Sequence, residues 1–151
     1  MQFSWIGLWI AAAILLPNLL FVFFAPRNVP KGLRDLHPAF TVLENGGRAA
    51  VFAILILFAG GGFASPDVWL ALMCLCIAVY YALWLRYLRG KREFTCLFSP
   101  LWFIPVPMAV FPVLAFAFAA AWGRSLPLGI AVAVFGVGHL AISYDTYLKV
   151  K

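Results

Sequence analysis

The chain has 151 residues, 66% of them hydrophobic and 11% charged, with a formal net charge of +6. A soluble domain carries roughly 25% charged residues, so this composition excludes an ordinary soluble fold. It predicts an all-α, polytopic membrane protein built as a single bundle, residues 1–151 forming one domain. The basic excess is not a nucleic-acid footprint, because no stripe of Lys and Arg interleaved with aromatics lies outside the apolar runs. No nucleic-acid partner is expected.

The first apolar run, 4–24, is long enough as a helix to cross a hydrocarbon core of about 30 Å. No Lys or Arg precedes it, and it ends at Phe23-Phe24 without a small-x-small cleavage site, so it reads as a retained span. Pro17 and Asn18 interrupt it. The proline has no N–H to give to the carbonyl one turn back, at Ala13, which must find another donor. Residues 25–45 read as a polar loop with Arg27, Lys31, Arg34 and His37, whose apolar members Leu33, Leu36, Phe40 and Leu43 suit the membrane interface. The second span, 47–64, is expected to open near Gly46 or Gly47 and close at Gly60-Gly61-Gly62.

Ser65-Pro66-Asp67 forms a turn into the third span, 68–87, followed by a basic loop with Arg86, Arg89, Lys91 and Arg92. The fourth span, 101–122, holds Pro105, Pro107 and Pro112 in its first half, which predicts a kinked or irregular start. A short turn with Arg124 leads to the fifth span, 127–148, and to Lys149-Val150-Lys151.

Five spans place ten of the eleven Lys and Arg residues on one side and Arg124 alone on the other. By the positive-inside rule the N-terminus is outside and the C-terminus cytoplasmic. The expected location is the inner (plasma) membrane of a bacterium. Trp5, Trp69 and Trp122 then mark the outer interface, and Trp84, Tyr87, Trp102 and Tyr147 the inner one.

The candidate chemistry centres on His139, in the stretch VFGVGHLAISYD, the only histidine within a long apolar run. On a helix Gly136, His139 and Ser143 share one face, and Gly136 and Gly138 are expected to admit a close neighbour. An ionisable group in a bilayer normally faces other helices or a water-filled cavity. Asn18, Tyr80 and His139 fall at similar depths in the cytoplasmic half, about 9–13 Å from the inner span ends at 1.5 Å per residue. The site expected there has Asn18, Tyr80, Trp84, His139 and Ser143 as walls. Glu44, Asn45 and Arg48 stand at its entrance, with Glu44 and Arg48 spaced to pair along a helix. The same residues allow a blander reading, in which His139 bonds Asn18, a tyrosine or a freed carbonyl and simply joins helices.

Absent motifs narrow the chemistry. There is no phosphate-cradling glycine loop, H-E-x-x-H or nucleophile elbow. One intramembrane histidine with Cys74 and Cys76, two residues apart, does not make a metal site, so no metal or cofactor is expected. A Ser143–His139–Asp145 triad fails because Asp145 lies well round the helix from the other two. In length, span number and tryptophan content the chain resembles the bacterial relatives of the translocator protein. It lacks that family's tryptophan–proline signatures, so the resemblance implies nothing for individual residues.

Three functions fit. The first is binding or transport of an amphipathic or lipid-like small molecule through a pocket in the cytoplasmic half, an anionic head meeting Arg48. The second is a structural or assembly subunit of a membrane complex. The third is a membrane enzyme acting on a lipid-like substrate with His139 as acid or base. The partners to be weighed are membrane lipids, an amphipathic or anionic small molecule, a second copy of the chain and another membrane protein.

Overall fold

Several helix boundaries follow local chemistry. In the computed structural model, which describes residues 3–30, 36–57, 63 and 65–151, the helices are α1 (Trp5–Phe23), α2 (Pro38–Leu57), α3 (Val68–Arg89), α4 (Pro107–Trp122) and α5 (Leu126–Val150). A 3₁₀ turn, Phe94–Phe98, lies between α3 and α4, and no β-strand occurs among the described residues. Asp67 starts α3, its carboxylate accepting the N–H groups of Trp69 (2.9 Å) and Leu70 (3.1 Å). Ser125 starts α5 by accepting from Leu128 N–H at 3.3 Å, with Pro127 in the first turn.

Two spans differ from the sequence reading. The second helix starts at Pro38 instead of 47, so most of the expected loop after His37 is helical. Proline at the first helical position suits a helix start, and the His37 ring accepts the Ala39 N–H at 3.2 Å. Gly46 and Gly47 therefore sit inside a helix, where packing outweighs their low propensity. The expected terminator Gly60-Gly61-Gly62, and Lys31, Leu33 and Arg34, lie outside the described residues. The fourth span is the second difference. Its helix has 16 residues, about 24 Å at 1.5 Å per residue, because 101–106 is irregular. There Leu101 and Ile104 exchange backbone hydrogen bonds around a tight turn, and Trp102 adopts φ 51°. The other four helices are long and apolar enough to cross a membrane.

Neighbouring helices run in alternating directions. Asn18, Phe21 and Phe24 of the α1 segment meet Tyr80, Trp84 and Tyr87 of α3 in parallel order. Against α5, α2 runs antiparallel, Glu44 meeting His139 while Gly47 meets Phe135. The C-terminal ends of α1, α3 and α5 thus gather with the N-terminal ends of α2 and α4. That end carries Arg27, Arg86, Arg89, Lys91, Arg92, Lys149 and Lys151, and Arg124 stands at the other.

The main core, with Val51, Leu55, Phe116, Leu128 and Phe135, is apolar. A second, aromatic core of Tyr80, Trp84, Tyr87 and Leu97 lies toward the basic end. It is clipped to the exit of α1, where Arg27 N–H donates to Arg92 O (2.8 Å) and Phe94 N–H to Arg27 O (3.0 Å). Large apolar side chains cover the outside as well, Trp9, Val22, Phe23 and Val137 among them. In water such a surface would be untenable; facing lipid it is ordinary. Four helices long and apolar enough to span, under an apolar outer surface, are those of a membrane protein.

Candidate functional site

The site begins with two glycines. A Cβ on Gly47 would lie 2.4 Å from Phe135 N, and one on Gly138 would lie 2.5 Å from Glu44 N and 2.7 Å from Phe40 O. Only the missing side chains let the α2 and α5 backbones touch. Gly136, the other glycine expected to admit a neighbour, faces Val113 of α4 instead, and its Cβ would meet one methyl at 3.0 Å.

This contact brings Glu44 to His139, the residue after Gly138. His139 Nδ1 and Glu44 Oε1 are 2.8 Å apart, and Arg48 pairs with the same oxygen from one turn along α2. A carboxylate can only accept, so Nδ1 carries the proton and donates. Phe135 supports both partners, its ring stacking on the imidazole (5.1 Å, 20°) with the Arg48 guanidinium 5.8 Å from its centre.

The expected partners of His139 are occupied elsewhere. Tyr80 donates to Asn18 Oδ1 at 2.8 Å, and Tyr81 donates to Ala13 O at 2.8 Å. The second bond satisfies the carbonyl that Pro17 leaves without a donor. The polar residues thus form two groups, Asn18–Tyr80 between α1 and α3 and Glu44–Arg48–His139 between α2 and α5.

Between the groups lies a cavity of about 380 Å³. Asn18, Arg48, Tyr80, Trp84, His139 and Ser143, six of the eight residues singled out from sequence, line it together with mostly apolar side chains from every helix. Glu44 does not line it; it stands behind Arg48 and His139. Asn45 does not either, being exposed on another face of α2. Asp145 pairs with Lys149, so no serine–histidine–aspartate arrangement exists around Ser143.

Sequence reasoning missed Phe135, Pro112 and Met108, all lining the cavity. Phe135 was within reach of helical spacing, one turn before His139. Pro112 removes the intrahelical donor of Met108 O, and no spacing in α4 marked either residue as lining a site. Leu97 and Phe98 also line the cavity from the basic loop, where no periodicity marks them.

Trp84 is 3% exposed, and its indole N–H has no hydrogen-bond partner among the described residues, although the Tyr80 hydroxyl is within its electrostatic reach. Its ring is a partition. On its other side lies an almost wholly apolar groove between α1 and α3, lined by Leu16, Pro17, Tyr81 and Leu85.

No group of three or more potential metal ligands occurs among the described residues. No known protein family, curated protein or solved structure matches the chain.

Proposed function

We propose an integral membrane protein of five spans, N-terminus outside and C-terminus cytoplasmic, in the inner membrane of a bacterium. In this reading it binds or moves an amphipathic, lipid-like small molecule through the cavity at its basic end. The observation that carries the reading is the convergence of Asn18, Arg48, Tyr80, Trp84, His139 and Ser143, from four helices, on one otherwise apolar cavity. Its volume lies within the range of small-molecule sites, roughly 300–1,000 Å³. Polar side chains inside spans are costly unless they serve a cavity or one another; all six line the cavity, and Asn18 pairs with Tyr80 while Arg48 and His139 both pair with Glu44. The fifth span is supported by α4 running between α3 and α5 with its irregular start at the basic end; the orientation is supported by the charge asymmetry.

Native mass spectrometry of the detergent-purified chain should show a co-purified amphiphile that His139→Leu and Arg48→Leu each deplete while melting cooperatively. Wild type without any bound amphiphile would refute the binding reading. Single-cysteine probes at Asp67 or Ser125 should label from outside, and those at Lys91 or Lys151 only after permeabilisation. The reverse pattern would overturn the orientation.

A second reading, a membrane enzyme with His139 as acid or base on a lipid-like substrate, is favoured by one feature. Glu44 orients the imidazole while Nε2 has no partner among the described residues. Chemical conversion of the co-purified amphiphile, lost in His139→Gln, would select it.

A further inference from the structure

The charged groups at the cavity wall cancel. Among the described residues Arg48 is the only Lys, Arg, Asp or Glu lining it, and its charge is met by Glu44 immediately behind. Glu44 Oε1 receives both Arg48 and His139 Nδ1, so guanidinium and imidazole stand side by side with their remaining polar atoms left over. With Nδ1–H committed to the carboxylate, a neutral His139 presents Nε2 as an acceptor. Arg48 keeps further N–H donors. Across the cavity, Asn18 uses its carbonyl oxygen for Tyr80, which leaves its NH₂ as a donor. With a neutral His139 the described wall therefore carries no net charge and offers the Nε2 acceptor beside the Arg48 and Asn18 donors, with the Ser143 hydroxyl able to do either.

We infer that the cavity takes a neutral, single-chain amphiphile with a hydroxyl-bearing head, of the long-chain alcohol or monoacylglycerol class. This rests on the amphiphile reading above and departs from the anionic head expected from sequence. A hydroxyl is both donor and acceptor: its O–H goes to His139 Nε2 and its oxygen receives a guanidinium N–H of Arg48. An anionic head has no proton for Nε2, and it must compete for Arg48 with a carboxylate already held on the same helix. It also feels the negative charge of Glu44, which stands behind both polar partners of the head with its side chain 14% exposed, and that repulsion is unfavourable. The apolar remainder of the wall, including Ile14, Phe52 and Phe116, takes the chain.

The test uses the full chain in phosphatidylcholine nanodiscs, labelled with ¹⁵N-histidine. There are only two histidines, and His37, bound through Nδ1 at the start of α2, is the internal control. Three probes share one chain length: monolauroylglycerol, methyl laurate and laurate. Monolauroylglycerol should move the His139 Nε2 resonance and leave that of His37 unchanged. Methyl laurate, which lacks the hydroxyl, should bind about tenfold more weakly, the effect of one net hydrogen bond, and leave Nε2 in place. Laurate should also bind less tightly than monolauroylglycerol. In Glu44→Gln the carboxamide oxygen still accepts from Nδ1 but the counter-charge is gone, and the preference should swing toward laurate by about tenfold or more. Laurate binding wild type as tightly as monolauroylglycerol, or a preference indifferent to Glu44→Gln, would overturn the neutral-head inference and leave the amphiphile reading standing. Binding of none of the three probes would overturn both.

Discussion

Gly138→Ala tests the packing of the site directly, because it adds one methyl where α2 and α5 touch. The new Cβ would meet Glu44 N at 2.5 Å, Phe40 O at 2.7 Å and Glu44 Cα at 2.9 Å, all on α2. These positions cannot yield by a side-chain rotation, so the helices must separate by about 1 Å to restore contacts of 3.5–4.0 Å. Overpacking of this kind costs about 1–3 kcal/mol. The separation also stretches the His139–Glu44 bond from 2.8 Å beyond bonding range, a further loss of about 0.5–1.5 kcal/mol. Replacing a helical glycine by alanine offsets roughly 0.8–1.0 kcal/mol. The net loss is about 0.5–3.7 kcal/mol, or roughly 1–15 °C in melting temperature for a chain of this size. Gly129→Ala is the matched control, since nothing lies within 4 Å of the Cβ it would add; only the propensity gain remains, and melting should hold or rise. Thermal unfolding followed by circular dichroism in one detergent compares the two. A Gly138→Ala protein melting with wild type, or Gly129→Ala melting below Gly138→Ala, would show that the α2–α5 contact is not where the structure puts it.

Tyr81→Phe should destabilise by about 1–2 kcal/mol by stranding Ala13 O, and the loss should largely vanish in a Pro17→Ala background, where residue 17 regains the N–H that serves that carbonyl; a double-mutant cycle with no coupling would contradict this account. Trp102→Asn should leave stability unchanged or raise it by up to about 1 kcal/mol. The tryptophan is 92% exposed and held at φ 51°, a conformation asparagine tolerates better. A melting temperature well below wild type would mean that Trp102 makes a contact its exposure conceals.

Local signals carried much of this architecture. Apolar runs and turn residues located five helices. The absent N–H of Pro17 identified Ala13 O as a carbonyl in need, because a helical bond is a relation between residues four apart. Helical rise put Asn18, Tyr80 and His139 at one level, and the structure lines one cavity with all three. The start of α2 was misplaced for an equally local reason: Gly46 and Gly47 have poor helix propensity, and the α5 surface against which Gly47 packs lies far along the chain.

The partner of His139 was beyond any local signal. Asn18 and Glu44 were both within reach by depth and chemistry, and spacing along the chain cannot choose between helices. Tertiary structure decided it at the backbone contact of Gly47 and Gly138, which joins Glu44 to a histidine 95 positions away and leaves Asn18 to Tyr80. Composition and periodicity are properties of single segments and determine which helices exist and how deep their polar groups lie. Which polar groups meet depends on where two helices lack side chains opposite each other, and only the folded chain brings those faces together.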